Sequence, residues 1–158
     1  MKYAIRIMKK EEYPLLNDFL YEAIYIPDGI EPPPKSVIDS PELQEYIYDF
    51  GNSKHDKAFV AAVKGKIVGV VWVRIINDYG HLDDETPSLA MSVYKEYRGL
   101  GLGTALLKEL LLILKSNGYS KVSLSVQKAN YAVKMYKKVG FIVFDENDEE
   151  YIMMAHLS

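Results

Sequence analysis

The residues with the clearest chemical content are Arg98-Gly99-Leu100-Gly101-Leu102-Gly103-Thr104, three alternating glycines behind an arginine. A glycine-rich turn leading from a strand into a helix presents free backbone N–H groups at the positive end of a helix dipole. That geometry binds phosphate. Glycines let the backbone approach the anion closely, and Arg98 adds charge-assisted hydrogen bonds. A Walker A loop closes on Gly-Lys-Ser/Thr, whereas this turn closes on Gly103-Thr104-Ala105. A dinucleotide fingerprint needs G-x-G-x-x-G and an acid near the end of the next strand. Here the spacing is G-x-G-x-G, and the strand ends Val126-Gln127. Both are excluded. The chain also contains no cysteine, which rules out a covalent cysteine mechanism, a disulfide and a thiolate zinc site.

The elements that must hold this turn follow from periodicity. Tyr3 to Met8 reads as a first strand, and Lys10 to Tyr25 as a helix with Pro14 in its first turn. Pro27 to Pro34 breaks regular structure, after which Ser40-Pro41-Glu42 opens a short helix to about Phe50. Ala58–Val63 and Lys66–Ile76 form a hairpin around Lys64-Gly65-Lys66, and Asn77 to Glu85 is a polar connection. Ser88–Val93 is the strand feeding the turn. Leu102–Ser116 is a helix apolar around most of its circumference, with a narrow polar stripe of Thr104, Lys108 and Lys115, so most of it should be buried against a sheet. Val122–Val126 is a strand, Asn130–Val139 a short helix stopped by Gly140, and two last strands flank Asp145–Glu149. This order predicts one α+β domain over residues 1–158, with a mixed, mostly antiparallel sheet, helices on both faces and one parallel βαβ crossover.

The run Val93 to Leu106 closely resembles the acetyl-CoA signature of the GNAT superfamily of N-acetyltransferases, Arg/Gln-x-x-Gly-x-Gly/Ala. Downstream, Asn130-Tyr131-Ala132-Val133-Lys134-Met135-Tyr136-Lys137-Lys138-Val139-Gly140-Phe141 resembles the family's second block, with the alanine slightly shifted. The resemblance implies acetyl-CoA as cosubstrate, with pantetheine in a wedge between two splayed parallel strands. It implies main-chain contacts from Met91, Ser92 and Val93, and a pyrophosphate cradle from Arg98, Gly99, Leu100, Gly101, Leu102, Gly103 and Thr104. It further implies Asn130 on the cofactor arm and Tyr136 facing the sulfur, where a phenol can protonate or hydrogen-bond the departing thiolate. No metal is expected. As an N-cap, Asn130 has a structural role that is compatible with cofactor contact.

The reaction implied is direct acetyl transfer to a primary amine in a ternary complex; the alternative is a non-catalytic acyl-CoA sensor or assembly module. The acceptor is a small-molecule amine or the amine of a peptide or protein. Glu22, Asp28, Glu31, Asp83, Asp84, Glu85 and His81 are the available bases, and none stands out. Tyr25, Trp72 and Tyr79 are candidate aromatic walls, with core packing favoured for Trp72. The acidic run Asp145, Glu146, Asp148, Glu149 and Glu150 reads first as a solvated hairpin and second as a lure for a cationic amine. A net charge of −3 provides no general affinity for nucleic acid. The run Leu110–Leu114 is too short to cross a bilayer, the N-terminus does not read as a signal peptide, and a cytoplasmic location is expected. A homodimer is left open.

Overall fold

The computed structural model describes residues 1–76 and 81–157. Among these residues, seven strands form one sheet: β1 Ala4–Ile7, β2 Lys57–Val63, β3 Lys66–Arg74, β4 Ser88–Val93, β5 Lys121–Gln127, β6 Ile142–Glu146 and β7 Glu150–His156. Their spatial order is β1-β2-β3-β4-β5-β7-β6, antiparallel throughout except between β4 and β5. The β2–β3 hairpin turns on Lys64 and Gly65, both at positive φ (53° and 80°), the twist that a two-residue hairpin favours.

Among the described residues, four α-helices cover the two faces: α1 Leu16–Glu22, α2 Pro41–Gln44, α3 Leu102–Ser116 and α4 Ala132–Val139. Alternation along the strands supplies both cores. Val60, Val70 and Trp72 pack with Leu16, Phe19 and Leu20 of α1. Val68, Val71, Leu89, Val122, Leu124 and Met153 pack on the opposite face with α3 and α4. The expected α+β architecture, with one parallel crossover carried by α3, is the observed one.

Three local expectations are corrected. The first helix is not continuous from Lys10: Lys10–Leu15 is a 3-10 turn, and α-helix begins only at Leu16. Pro14 has no N–H to donate back to Lys10 and its ring crowds that carbonyl, so the tighter turn precedes it. The second helix stops at Gln44, and the Ser40 hydroxyl does not cap it. Its would-be continuation has carbonyls claimed from the sheet. Arg74 Nη1 donates to Tyr48 and Glu45, at 2.8 and 3.3 Å, and Trp72 Nε1 donates to Tyr46 at 3.0 Å. Third, α3 is not buried around most of its circumference. Leu102, Leu106, Leu107, Leu110 and Leu114 are inside, but Leu112 is 62% exposed, on the side of α3 turned away from the sheet face that the helix covers.

The strand β1 is tied to the 3-10 turn by a two-pronged bond, Arg6 Nη1 and Nη2 each donating to one carboxylate oxygen of Glu12 at 2.8 Å. Glu12 also accepts the Lys9 N–H. The Arg6 hydrogen bond is the main cause that pulls the Glu12 carboxyl down to about 2 from its ordinary 4.5. The folded chain therefore favours the charged form. This stability is fully present above pH 4.5 and is lost as pH falls toward 2. Glu12→Gln should cost no more than about 1 kcal/mol near neutrality, since solvent screens the pair. Urea unfolding of both proteins from pH 7 downward should show that difference shrinking below pH 4.5.

Candidate functional site

The site begins where β4 and β5 part. Their recorded pairing is a single register, Ser88 with Ser123, and Ser123 N–H donates to the Pro87 carbonyl at 3.1 Å. Every antiparallel pair in the sheet has at least four registers. The direction of the free groups follows from alternation. Tyr94 N–H donates to Val68 in β3, so Ser92 also turns its backbone toward β3, while Met91 and Val93 turn theirs toward the gap. Ser92 is thereby turned away: its hydroxyl donates to the Phe19 carbonyl at 2.6 Å, tying α1 to the back of β4.

At the open end of the gap lies the glycine turn. Gly99 (φ 76°) and Gly101 (φ 86°) occupy the left-handed region, and a Cβ on either would meet nothing within 4 Å. Gly101 caps α3 with no side-chain bond, and the first turn of α3 carries no acid. The leading N–H groups of a 15-residue helix thus have no side-chain cap, and no carboxylate in their own turn competes for them. Gly103 differs. A Cβ there would lie 3.0 Å from Met135 Sδ and 3.4 Å from Met91 Cε, so its missing side chain lets α3, α4 and β4 close together. Thr104 is half-buried in the same turn, whereas Leu100 is exposed.

Arg98 is already engaged. Its Nε donates to the Val93 carbonyl at 2.8 Å, and its Nη2 lies 3.5 Å from the Glu22 carboxylate and 3.4 Å from the Glu22 carbonyl. It braces the turn against β4 and the end of α1.

Helix α4 closes the other side. Asn130 Oδ1 accepts the Ala132 N–H at 2.9 Å, so its carboxamide oxygen shapes the entry to α4. Tyr136 is buried against Phe141, ring edge to face at 5.6 Å, in the same core as Val93 and Val126. Burial, and secondarily the nearby Tyr131 phenol, push the Tyr136 hydroxyl above the usual phenol range. It remains protonated at any working pH.

Two cavities distinguish the ends of the sheet. One, of about 420 Å³, is lined by Tyr25, Pro27, Gln127, Lys128, Ala129, Asp148 and Glu149, and so lies where β5 ends. Tyr25 reaches across it to the Ala129 carbonyl at 3.4 Å. The other, of about 500 Å³, lies beside Pro41, Tyr48 and Arg74. Arg74 pairs with Ser88, so that cavity is at the closed end of the β4–β5 gap. Asp83 bonds Lys121 at the start of β5, and His81 lies 3.4 Å from Asp84. Asp83 is thereby placed at the closed end, and His81, Asp84 and Glu85 belong to the segment leading into it. Trp72 is core, and Tyr79 lies outside the described residues. Sequence reasoning passed over Met135 and Gln127–Ala129. Their one general signal was position, since ligands gather beyond the carboxyl ends of parallel strands.

The arrangement can hold an anion at the start of α3 and an extended chain along the gap-facing edge of Met91 and Val93, with the Tyr136 phenol buried in the core that also contains Val93 and Val126. Residues 22–141 match the model of the acetyltransferase (GNAT) family. The chain is 31% identical over 135 residues to an N-alpha-acetyltransferase of Sulfurisphaera tokodaii, covering 74% of this chain and 80% of that one. It is 34% identical over 86 residues to a probable N-acetyltransferase, camello, of Xenopus tropicalis, covering 52% and 37% respectively. In fold it matches the PaiA N-acetyltransferase of Thermoplasma acidophilum, solved in complex with coenzyme A. The TM-score is 0.72 at 24% identity over 99% of both chains. The ribosomal-protein-S18-alanine N-acetyltransferase of Escherichia coli gives 0.68 at 18% identity, over 99% of this chain and 95% of that one.

The Gly103 contact has a measurable consequence. Gly103→Val should lower stability by about 1–3 kcal/mol, as overpacking does. Met135→Ala in the same chain should recover part of that loss, because it removes the sulfur that the new side chain strikes. Urea unfolding of the two single variants and the double variant measures the coupling; simple additivity would contradict the contact.

Proposed function

The chain belongs to the acetyltransferase (GNAT) family, and on that premise we propose that it transfers the acetyl group of acetyl-CoA directly to a primary amine within a ternary complex. The observation that carries the reading is the β4–β5 gap opening onto the uncapped start of α3. The residues present fit the cosubstrate. Backbone N–H groups of Gly99 to Thr104 cradle its pyrophosphate, and the gap-facing main chain of Met91 together with the Val93 N–H bonds the amides of pantetheine as an added strand would. The Asn130 carboxamide keeps its N–H₂ free for the same arm. When bound, acetyl-CoA supplies an activated acyl group and a thiolate leaving group.

The Tyr136 hydroxyl acts on that leaving group. Its raised pKa sets what it can do, because a free thiol titrates near ~8.5, well below this phenol. Full proton transfer from Tyr136 to the thiolate is therefore uphill, and the hydroxyl works as a hydrogen-bond donor to the departing sulfur. The proton lost by the amine reaches the sulfur in the net reaction by way of water.

The acceptor enters at the Tyr25–Glu149 cavity. Asp148 and Glu149 on its rim suit a cation, and the likeness to an N-alpha-acetyltransferase favours a peptide α-amine. Acid–base chemistry points the same way. An α-amine titrates at about 7.7–8.0, against about 10.4 for lysine, so much of it is neutral at working pH without a strong base. Among the candidate bases, Glu22 at the end of α1 is paired with Arg98, and Asp83 is at the closed end of the gap. A neutral α-amine lessens the need for any of them.

Two measurements test this. Free-thiol release from acetyl-CoA across an amine panel should be faster with peptides bearing a free N-terminus than with Nα-blocked lysine peptides. Binding of acetyl-CoA with no thiol release from any amine would leave the non-catalytic module as the reading. Tyr136→Phe should lower turnover by about 10- to 100-fold with acetyl-CoA affinity nearly intact. Because the phenol stays protonated, the loss should be equal across the range from about pH 7 to 9. Wild-type turnover of a folded variant would reduce Tyr136 to a packing residue.

A further inference from the structure

The motif resemblance puts Arg98 on the pyrophosphate, yet its guanidinium already has an anion, the carboxylate of Glu22 at the end of α1. The two ends of that guanidinium are held differently. Nε donates to the Val93 carbonyl at 2.8 Å, a full hydrogen bond. Nη2 lies 3.5 Å from the Glu22 carboxylate and 3.4 Å from the Glu22 carbonyl, both long. The side chains of Arg98 and Glu22 are also 34% and 30% exposed, so water screens the pair. One end of the arginine is anchored and the other is loosely held.

The charges nearby favour an exchange of partners at the loose end. Glu22 is the last residue of α1, where the helix carbonyls are themselves negative. Burial, and then the charges of Asp18, Glu22 and Glu96, raise the Tyr94 hydroxyl above the usual phenol range, so three carboxylates surround that ring. Lys66 lies 5.8 Å from its centre. The Glu22 carboxylate thus stands in a negative neighbourhood beside a turn suited to an anion. Resting on the proposed use of acetyl-CoA, we propose that Glu22 is an internal competitor for the cosubstrate. Its carboxylate holds the Nη end of Arg98 in the free chain. Arg98 exchanges it for a pyrophosphate oxygen while Nε stays on Val93 as a pivot, and takes it back when CoA leaves. A guanidinium fork suits either anion, so the exchange needs no new donor. Glu22 therefore lowers the affinity for acetyl-CoA and for CoA alike, and hastens loss of the product.

Calorimetric titration of acetyl-CoA and of CoA into the full chain is the test, with circular dichroism verifying each fold. Glu22→Gln keeps the shape and removes the charge. It should bind both about two- to fivefold more tightly, the range an exposed ion pair spans, with slower CoA dissociation. A carboxylate that only braced Arg98 for the phosphate would give the opposite sign. Asp18→Asn should leave both affinities nearly unchanged, because Asp18 makes no ion pair with Arg98, whereas a general relief of negative charge would tighten binding there too. In an Arg98→Gln chain, whose carboxamide can still donate to Val93, Glu22→Gln should add nothing. Unchanged or weaker binding by folded Glu22→Gln would overturn the inference and leave the proposed function standing. So would tightening that persists without Arg98 or is matched by Asp18→Asn. A wild type that binds no acetyl-CoA would overturn both together.

Discussion

The strands β4 and β5 are hydrogen-bonded to one another only where they begin. A sheet that splits at its centre leaves main-chain donors and acceptors without partners, and such groups are costly unless water or a ligand meets them. The surrounding structure keeps the split open from both sides. On the far side of β4, six registers with β3 and the Ser92–Phe19 bond hold the strand flat. Beyond β5, seven registers with β7 do the same. Neither strand can slide over to close the gap without breaking a complete ladder. The open edge is therefore a property of the whole sheet.

The two cores divide the work that follows. The core under α3 and α4 contains Val93, Val126 and Tyr136, so packing alone brings the ends of both strands and the phenol together. Gly103 sets how closely α3 approaches Met91 and Met135. The core under α1 instead anchors the back of β4 through Phe19 and Trp72, and Arg98 joins it to the glycine turn through Glu22. In the proposed function, the cosubstrate's phosphates bind at the start of a helix that Leu106, Leu107 and Leu110 lock against the sheet. The amides that meet them need not reorganise.

Features written in a few adjacent residues were legible in the sequence. The Lys64-Gly65 hairpin, the span of α3, β4 from Ser88 to Val93 and the αL stop at Gly140 all appear as read. What failed depends on partners distant in the chain. Residues 45–50 do not continue α2 because Arg74 and Trp72 capture their carbonyls, and no local pattern announces that. Ser92 sits between two gap-facing residues, yet strand alternation gives its backbone to β3. Asp83 borders the wrong end of the gap because Ser88 and Ser123, rather than Val93 and Val126, form the parallel pair. That choice of end follows from strand order and direction, which composition does not record.

The central claim is that the gap and the start of α3 together hold acetyl-CoA. Backbone amide resonances followed during acetyl-CoA titration test it most directly, because each N–H reports its own surroundings. The account predicts shifts concentrated at Met91, Val93 and Gly99 to Thr104, with further changes at Asn130 and Tyr136, while Arg74, Lys121 and Asp83 stay still. Shifts gathered instead around the cavity beside Tyr48 and Arg74, or no shifts at saturating acetyl-CoA in a folded protein, would contradict it.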